Sequence, residues 1–238
     1  RLFGALVGVT ITLTMIFMFK YYRSIDRIKY AVVLAFFLTL FEGWLGAVLV
    51  QTVLNPVTIT LHLFFALIIV MLLIYATQEA YYIDNPDSEK NSMYPKAMGK
   101  YFTFLAIILL VEVILGTEIR GGLEMIRKEN PIVDSKFLLR MLGPFKYMHT
   151  FLGLLITVIS SFLWYQLVKK SSSPSWIVVQ SSTVILFLIL VQIISGEILV
   201  FLKVIPLIQL FHLWIASWIL GLVSVQYSAW KNSQTFNE

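Results

Sequence analysis

VTITLHLFFALIIVMLLIYAT, Val57–Thr77, carries no Asp, Glu, Lys or Arg from end to end and holds one histidine, His62, six positions after Pro56. A helix must run about 20 apolar residues to cross a hydrocarbon core about 30 Å thick, and this run is long enough to do so. Working outward, six more such runs follow the same rule: roughly Leu2–Phe19, Tyr30–Leu54, Tyr101–Gly116, Phe145–Leu167, Trp176–Leu202 and Ile205–Trp230. Hydrophobic residues make up 59% of the 238 positions and charged ones 13%, which fits a chain that is mostly in lipid. The fold class is all-α, a polytopic membrane helical bundle with seven visible spans.

A histidine facing the inside of a membrane bundle is costly enough to imply a task. There are three, His62, His149 and His212, and each stands near the start of an apolar span. His149 and His212 are 63 apart (212 − 149 = 63), and the same step back from His62 lands just before Arg1. The pattern is that of an internal duplication. At an offset of 150, Gly46, Pro56 and His62 fall on Gly196, Pro206 and His212; at 149, Gly4 falls on Gly153. The expected whole is eight spans in two pseudo-symmetric four-helix halves: 1–77 with its first helix upstream of Arg1, a cytoplasmic linker at 78–100 marked by Asn85-Pro86 and Tyr94-Pro95, and 101–238.

Beneath the duplication lies a hairpin motif. A polar residue stands four before a glycine in three helices, as Glu42/Gly46, Glu112/Gly116 and Gln192/Gly196, and the next helix opens with a histidine. A small residue then follows each histidine by four: Ala66, Gly153 and Ala216. Residues four apart share a helix face, so a planar ring held by the histidine would find an open surface there. Close helix packing also uses small residues, but three recurrences favour the ring. Neutral imidazole is a common iron ligand, and paired histidines at matched depth point to haem, against a plain interhelical hydrogen bond or a proton relay.

The carboxylates Glu42, Glu112 and Glu197 lie within or near spans, where an ionised group needs a partner. Because Gln192 takes the repeat position of Glu42, a helix-to-helix hydrogen bond fits them better than proton transfer. Arg120, Lys146, Lys203 and Arg1 stand at the expected outer boundary, where they could pair with haem propionates or snorkel to the interface.

The charge of +5 is spread over loops, which suits lipid headgroups and excludes nucleic acid as a partner. Lys20, Arg23, Arg27 and Lys29 after the first span, with Lys169 and Lys170 after the fifth, predict those loops and the carboxyl end to be cytoplasmic. The segment Thr117–Pro144 is then a long outer loop. With no cysteine there is no disulfide and no thiolate metal site in this stretch.

Taken in order, the strings RLFGALVG (Arg1–Gly8), EGWLGAVL and NPVTITLHL (within Glu42–Leu63), LGTEIR (Leu115–Arg120), MHTFLG (Met148–Gly153), and SGEILV and HLWIA (within Ser195–Ala216) resemble the haem A synthase family over nearly the whole chain. The resemblance implies an inner (plasma) membrane oxidoreductase that converts a ring methyl of haem O to the formyl group of haem A for cytochrome oxidase. It implies a haem b between His149 and His212, and substrate haem near His62 and a histidine position preceding Arg1, with the catalytic carboxylate also upstream of Arg1. One or two histidines for the substrate haem therefore remain open. Partners consistent with this reading are haem O, haem O synthase, an electron acceptor, the lipid bilayer and a second copy of the chain in a homo-oligomer. Two features depart from the family pattern: the glycine-rich outer motif is reduced to Gly121-Gly122, and the paired loop cysteines of some members are absent. The alternative functions are a di-haem cytochrome b that only transfers electrons, and a haem or lipid transporter built on repeated hairpins.

Overall fold

The computed structural model describes residues 2–52, 55–129, 137, 140–201 and 205–235. Among them every regular element is helical: α1 Leu2–Tyr21, α2 Asp26–Gln51, α3 Pro56–Asp84, α4 Met98–Glu129, α5 Phe145–Trp164, α6 Trp176–Phe201 and α7 Pro206–Gln234, with a short 3₁₀ turn at Pro86–Glu89. All seven helices are long and apolar enough to cross a membrane, so the chain is a multi-pass membrane protein. It divides into two compact units, Arg1–Lys90 and Asn91–Glu238.

In the first unit α2 packs on both α1 and α3. Its buried face is built from small and branched residues, Ala31, Val32 and Ala35, which meet Ile11 and Met18 of α1 and Ile69 and Ala76 of α3. Small side chains let backbones approach closely, the main source of helix association where the surroundings are as apolar as the interface. At one end Arg27 and Glu79 lie 3.5 Å apart, tying α2 to α3. At the other, α3 begins at Pro56, whose missing N–H costs nothing there. The Asn55 side chain accepts from the N–H groups of Val57 at 3.0 Å and Thr58 at 3.4 Å, and so fixes the turn that delivers His62.

In the second unit α4, α5, α6 and α7 close a ring in which each helix packs on the next and α7 returns to α4. Phe102, Leu105, Leu163, Leu167, Ile219 and Leu220 are its most deeply buried large side chains. The Gln226 amide donates to the Ser182 hydroxyl across α6 and α7, so this pair of buried polar groups satisfies itself inside the apolar core. At its end α5 widens into a π-turn, Tyr165–Lys169, where the Lys170 N–H donates to the Tyr165 carbonyl at 3.0 Å.

One boundary differs from the sequence expectation. The fourth span does not stop at Gly116: α4 runs on to Glu129, so the first part of the expected outer loop is helix. The cause is an apolar stripe, Ile119, Leu123 and Ile126, at helical spacing; Leu123 buries against Leu142 while the charged residues take the other faces. Gly122 allows this approach, since a Cβ there would stand 2.9 Å from Leu142 Cδ2. Gly143, at φ 60°, turns the chain into Pro144 and α5 in a conformation that only glycine adopts freely.

A candidate haem site built from repeated histidine hairpins

Three hairpins, α2–α3, α4–α5 and α6–α7, repeat one arrangement. On the first helix of each, a glycine faces the histidine of the second. A Cβ on Gly46 would lie 3.7 Å from His62 Cε1, one on Gly116 3.5 Å from His149 Cε1, and one on Gly196 3.4 Å from His212 Cε1. A methyl would just touch the ring, and anything larger would take its place. The glycines of the sequence motif are therefore seats for imidazoles.

One helical turn before each glycine stands the polar residue, on the same face. Glu42 Oε2 lies 2.8 Å from His62 Nδ1, and Glu112 Oε1 lies 3.0 Å from His149 Nδ1. These are close contacts rather than in-line hydrogen bonds, and the second oxygen of each carboxylate, Glu42 Oε1 and Glu112 Oε2, is buried with no hydrogen-bond partner. In the third hairpin Gln192 does not reach the ring; its Oε1 is likewise buried and unpartnered. Ser195 serves instead. Its Oγ is 2.8 Å from His212 Nδ1 and donates to the Gln192 carbonyl at 3.0 Å. Ser195 Oγ thereby links the Nδ1 edge of His212 to the Gln192 carbonyl.

The second unit brings two of these rings close together. The His149 and His212 ring centres are 6.5 Å apart with their planes at 51°. A metal bound to one nitrogen of each ring at about 2 Å, with each ring centre about 1 Å behind its nitrogen, sets the centres roughly 6 Å apart. That separation is of the size an iron between two imidazoles would need, and each Nδ1 lies beside a side chain of its own hairpin, Glu112 or Ser195. Among the described residues, no group of three or more His, Asp or Glu side chains could hold a bare metal ion. Two histidine nitrogens would suit an iron already held in a macrocycle.

The other predicted residues divide. His62 lies in the first unit with Glu42, its side chain 41% exposed against 10% for the carboxylate. Ala66 and Ala216 are half-buried one turn beyond their histidines. Gly153 opens toward a carboxylate: its Cβ position is 3.5 Å from Glu112 Oε1. Arg120 is exposed, one turn past Gly116 on α4. The Lys146 ammonium lies over the Tyr147 ring at 4.8 Å, one turn before His149. Glu197 is exposed and apart from the Glu–His pairs. Lys203 and Arg1 lie outside the described residues. Sequence reasoning missed Ser195 and the joining of each glutamate to a particular histidine. The shared step of 16 from glycine to histidine in two hairpins (62 − 46 and 212 − 196) was the available signal.

No curated protein and no solved structure matches the chain. The sequence profile of the COX15-CtaA family, described as cytochrome oxidase assembly protein, matches residues 1–224. With that match spanning nearly all of a seven-helix membrane chain, the protein belongs to the COX15-CtaA family of cytochrome oxidase assembly proteins, the haem A synthase family.

Proposed function

We propose that the protein is a haem A synthase that holds haem b between His149 and His212 and substrate haem O at His62, and that it oxidises a ring methyl of haem O to a formyl group. Family membership carries the role in cytochrome oxidase assembly and haem A biosynthesis. The observation that carries the finer reading is the close pair of imidazoles, 6.5 Å between centres, each seated on a glycine of its own hairpin. A haem between two imidazoles has no open iron position, so it supplies single-electron transfer and not oxygen binding.

The protein's own part is placement. His62 sits on Gly46 with Glu42 Oε2 2.8 Å from its Nδ1, and its Nε2 would be the nitrogen left for substrate iron. Turning the methyl into a formyl group with water as the oxygen source releases four electrons and four protons (R–CH3 + H2O → R–CHO + 4 H+ + 4 e−), and the acceptor that takes the electrons is a further partner of the reaction. Arg120 and Lys146 remain the proposed contacts for propionates, and Ala66, Gly153 and Ala216 for the haem faces. We place the chain in the inner (plasma) membrane with its carboxyl end cytoplasmic, on the charges of the short loops.

The test is product analysis. In the full-length protein His62→Ala should keep the low-spin haem b spectrum and stop formation of haem A, read by extraction and chromatography of haems. Abundant haem A from this variant would remove His62 from the substrate site and leave the electron-transfer cytochrome ahead.

A further inference from the structure

The segment Met93–Pro95, just before α4, is pinned to two neighbours in the second unit. The Ser175 N–H donates to the Tyr94 hydroxyl oxygen at 2.8 Å, and that hydroxyl donates to Ser175 Oγ at 3.3 Å. Ser171 Oγ donates to the Met93 carbonyl at 3.0 Å, Gln234 Nε2 to the Tyr94 carbonyl at 3.1 Å and Trp230 Nε1 to the Pro95 carbonyl at 3.1 Å. The turn between α5 and α6 and the end of α7 are thereby fixed around a cavity of about 380 Å³, whose lining includes Met93, Lys96, Gln166, Lys170 and Ser172. Small-ligand sites run from about 300 to 1,000 Å³, so it can take a headgroup-sized molecule. Its charge is of one sign. Lys96 and Lys170 form no ion pair among the described residues, Lys100 lies in the first turn of α4, and the Lys169 ammonium lies over the Trp164 ring at 5.5 Å. The described carboxylates of this unit are Glu112, Glu118, Glu124, Glu129 and Glu197. Even Glu112 stands 14 residues along α4 from Met98 (112 − 98 = 14), about 21 Å of helix away. Tyr101, Tyr165 and Trp176, at these same helix ends, are exposed. Such amphipathic rings sit at the level of lipid headgroups, which sets the depth of the cavity.

We propose that this cavity binds the headgroup of an anionic phospholipid, with Lys96 and Lys170 pairing with its phosphate and the Ser172 hydroxyl, which has no partner among the described residues, bonding the remainder. The inference is independent of the haem ligands. Lysine ammoniums bind phosphate as point charges, and basic pockets between membrane helices suit anionic lipid headgroups. A lipid fits better than a soluble anion because Met93, Tyr165 and Trp176 offer exposed apolar surface beside the lysines, along which acyl chains can lie. A headgroup held there joins the start of α4 to the turn between α5 and α6.

The experiment titrates the full-length protein in detergent with phosphatidylglycerol or phosphatidylcholine and reads bound lipid by native mass spectrometry. The unaltered protein should hold phosphatidylglycerol the more tightly. Lys96→Gln should weaken that binding about fivefold and Lys96→Gln/Lys170→Gln roughly thirtyfold, with little change for phosphatidylcholine. Lys96→Arg/Lys170→Arg keeps the charge and should keep the preference. Ser172→Phe leaves both lysines in place but fills the cavity, and should lose it; circular dichroism checks that each variant is folded. An unchanged preference in Lys96→Gln/Lys170→Gln overturns the proposal. So does an equal loss from Lys20→Gln/Arg23→Gln, which removes the same charge from the first unit and would reduce the effect to diffuse attraction. Displacement of the lipid by millimolar inorganic phosphate would give the cavity to a free anion and overturn the lipid assignment.

Discussion

Two glycines of one helix should respond to the same substitution with opposite signs. Gly99 and Gly116 both lie in α4. A Cβ on Gly99 would stand 2.2 Å from Trp230 Cη2, 2.6 Å from Cζ3 and 2.8 Å from Cζ2. Carbon atoms rest about 3.5–4 Å apart, so the indole would have to retreat by more than about 1 Å. It is not free to. Trp230 Nε1 donates to the Pro95 carbonyl at 3.1 Å, and the ring packs against Phe102 at 6.4 Å and Tyr227 at 5.7 Å. Overpacking of this kind costs about 1–3 kcal/mol, and a lost hydrogen bond about 1 kcal/mol more. The helical gain of alanine over glycine offsets about 0.5–1 kcal/mol. Gly99→Ala should therefore destabilise the protein by about 1–3 kcal/mol. At Gly116 the same Cβ meets only His149 Cε1 at 3.5 Å, an ordinary contact. Gly116→Ala should stabilise by about 0.5–1 kcal/mol and keep the haem spectrum, while Gly116→Leu should lose the haem. The assay is denaturant unfolding of the full-length protein in detergent, followed by helical circular dichroism, with haem absorbance in parallel. A Trp230→Leu background should remove most of the Gly99→Ala penalty. Equal effects of alanine at the two glycines would refute the reasoning.

Loss of either ring should abolish the low-spin spectrum in His149→Ala and His212→Ala, and a spectrum surviving in either variant would sink the site. Asn55→Ala removes the acceptor for two N–H groups and should cost about 1 kcal/mol in unfolding experiments, with no effect expected on the His149/His212 spectrum. A reporter fused after Lys231 should be active only in the cytoplasm and one inserted at Pro131 only outside; the opposite result would invert the topology.

The helices were legible because hydropathy and length decide them, and two starts were marked by proline: Pro56 and Pro206 each stand at the first position of their helix. The end of α4 was not, since a hydropathy window falls off where charge begins, whereas the helix continues as long as Ile119, Leu123 and Ile126 have Leu142 to bury against. The histidines were legible as a set through their repeat. Their partners were half legible. Glu42 and Gly46 lie on one face by spacing alone, but whether that face meets His62 depends on the register of the hairpin, which the turn sets. In α2–α3 and α6–α7 the step from glycine to histidine is the same 16 residues; in α4–α5 it is 33 (149 − 116), because α4 runs past its glycine before the chain returns. The contact nevertheless re-forms, with Glu112 on His149 as Glu42 is on His62. The shared feature is a spatial seat, not a count of residues. Ser195 escaped notice for the related reason that it replaces the function of Gln192 from a position three residues on, nearly one turn later, so an alignment of the halves by residue sets Leu45 opposite it. Duplication explains why the seats recur; the divergence at Glu112, Gln192 and Ser195 is where one unit can treat its two imidazoles differently.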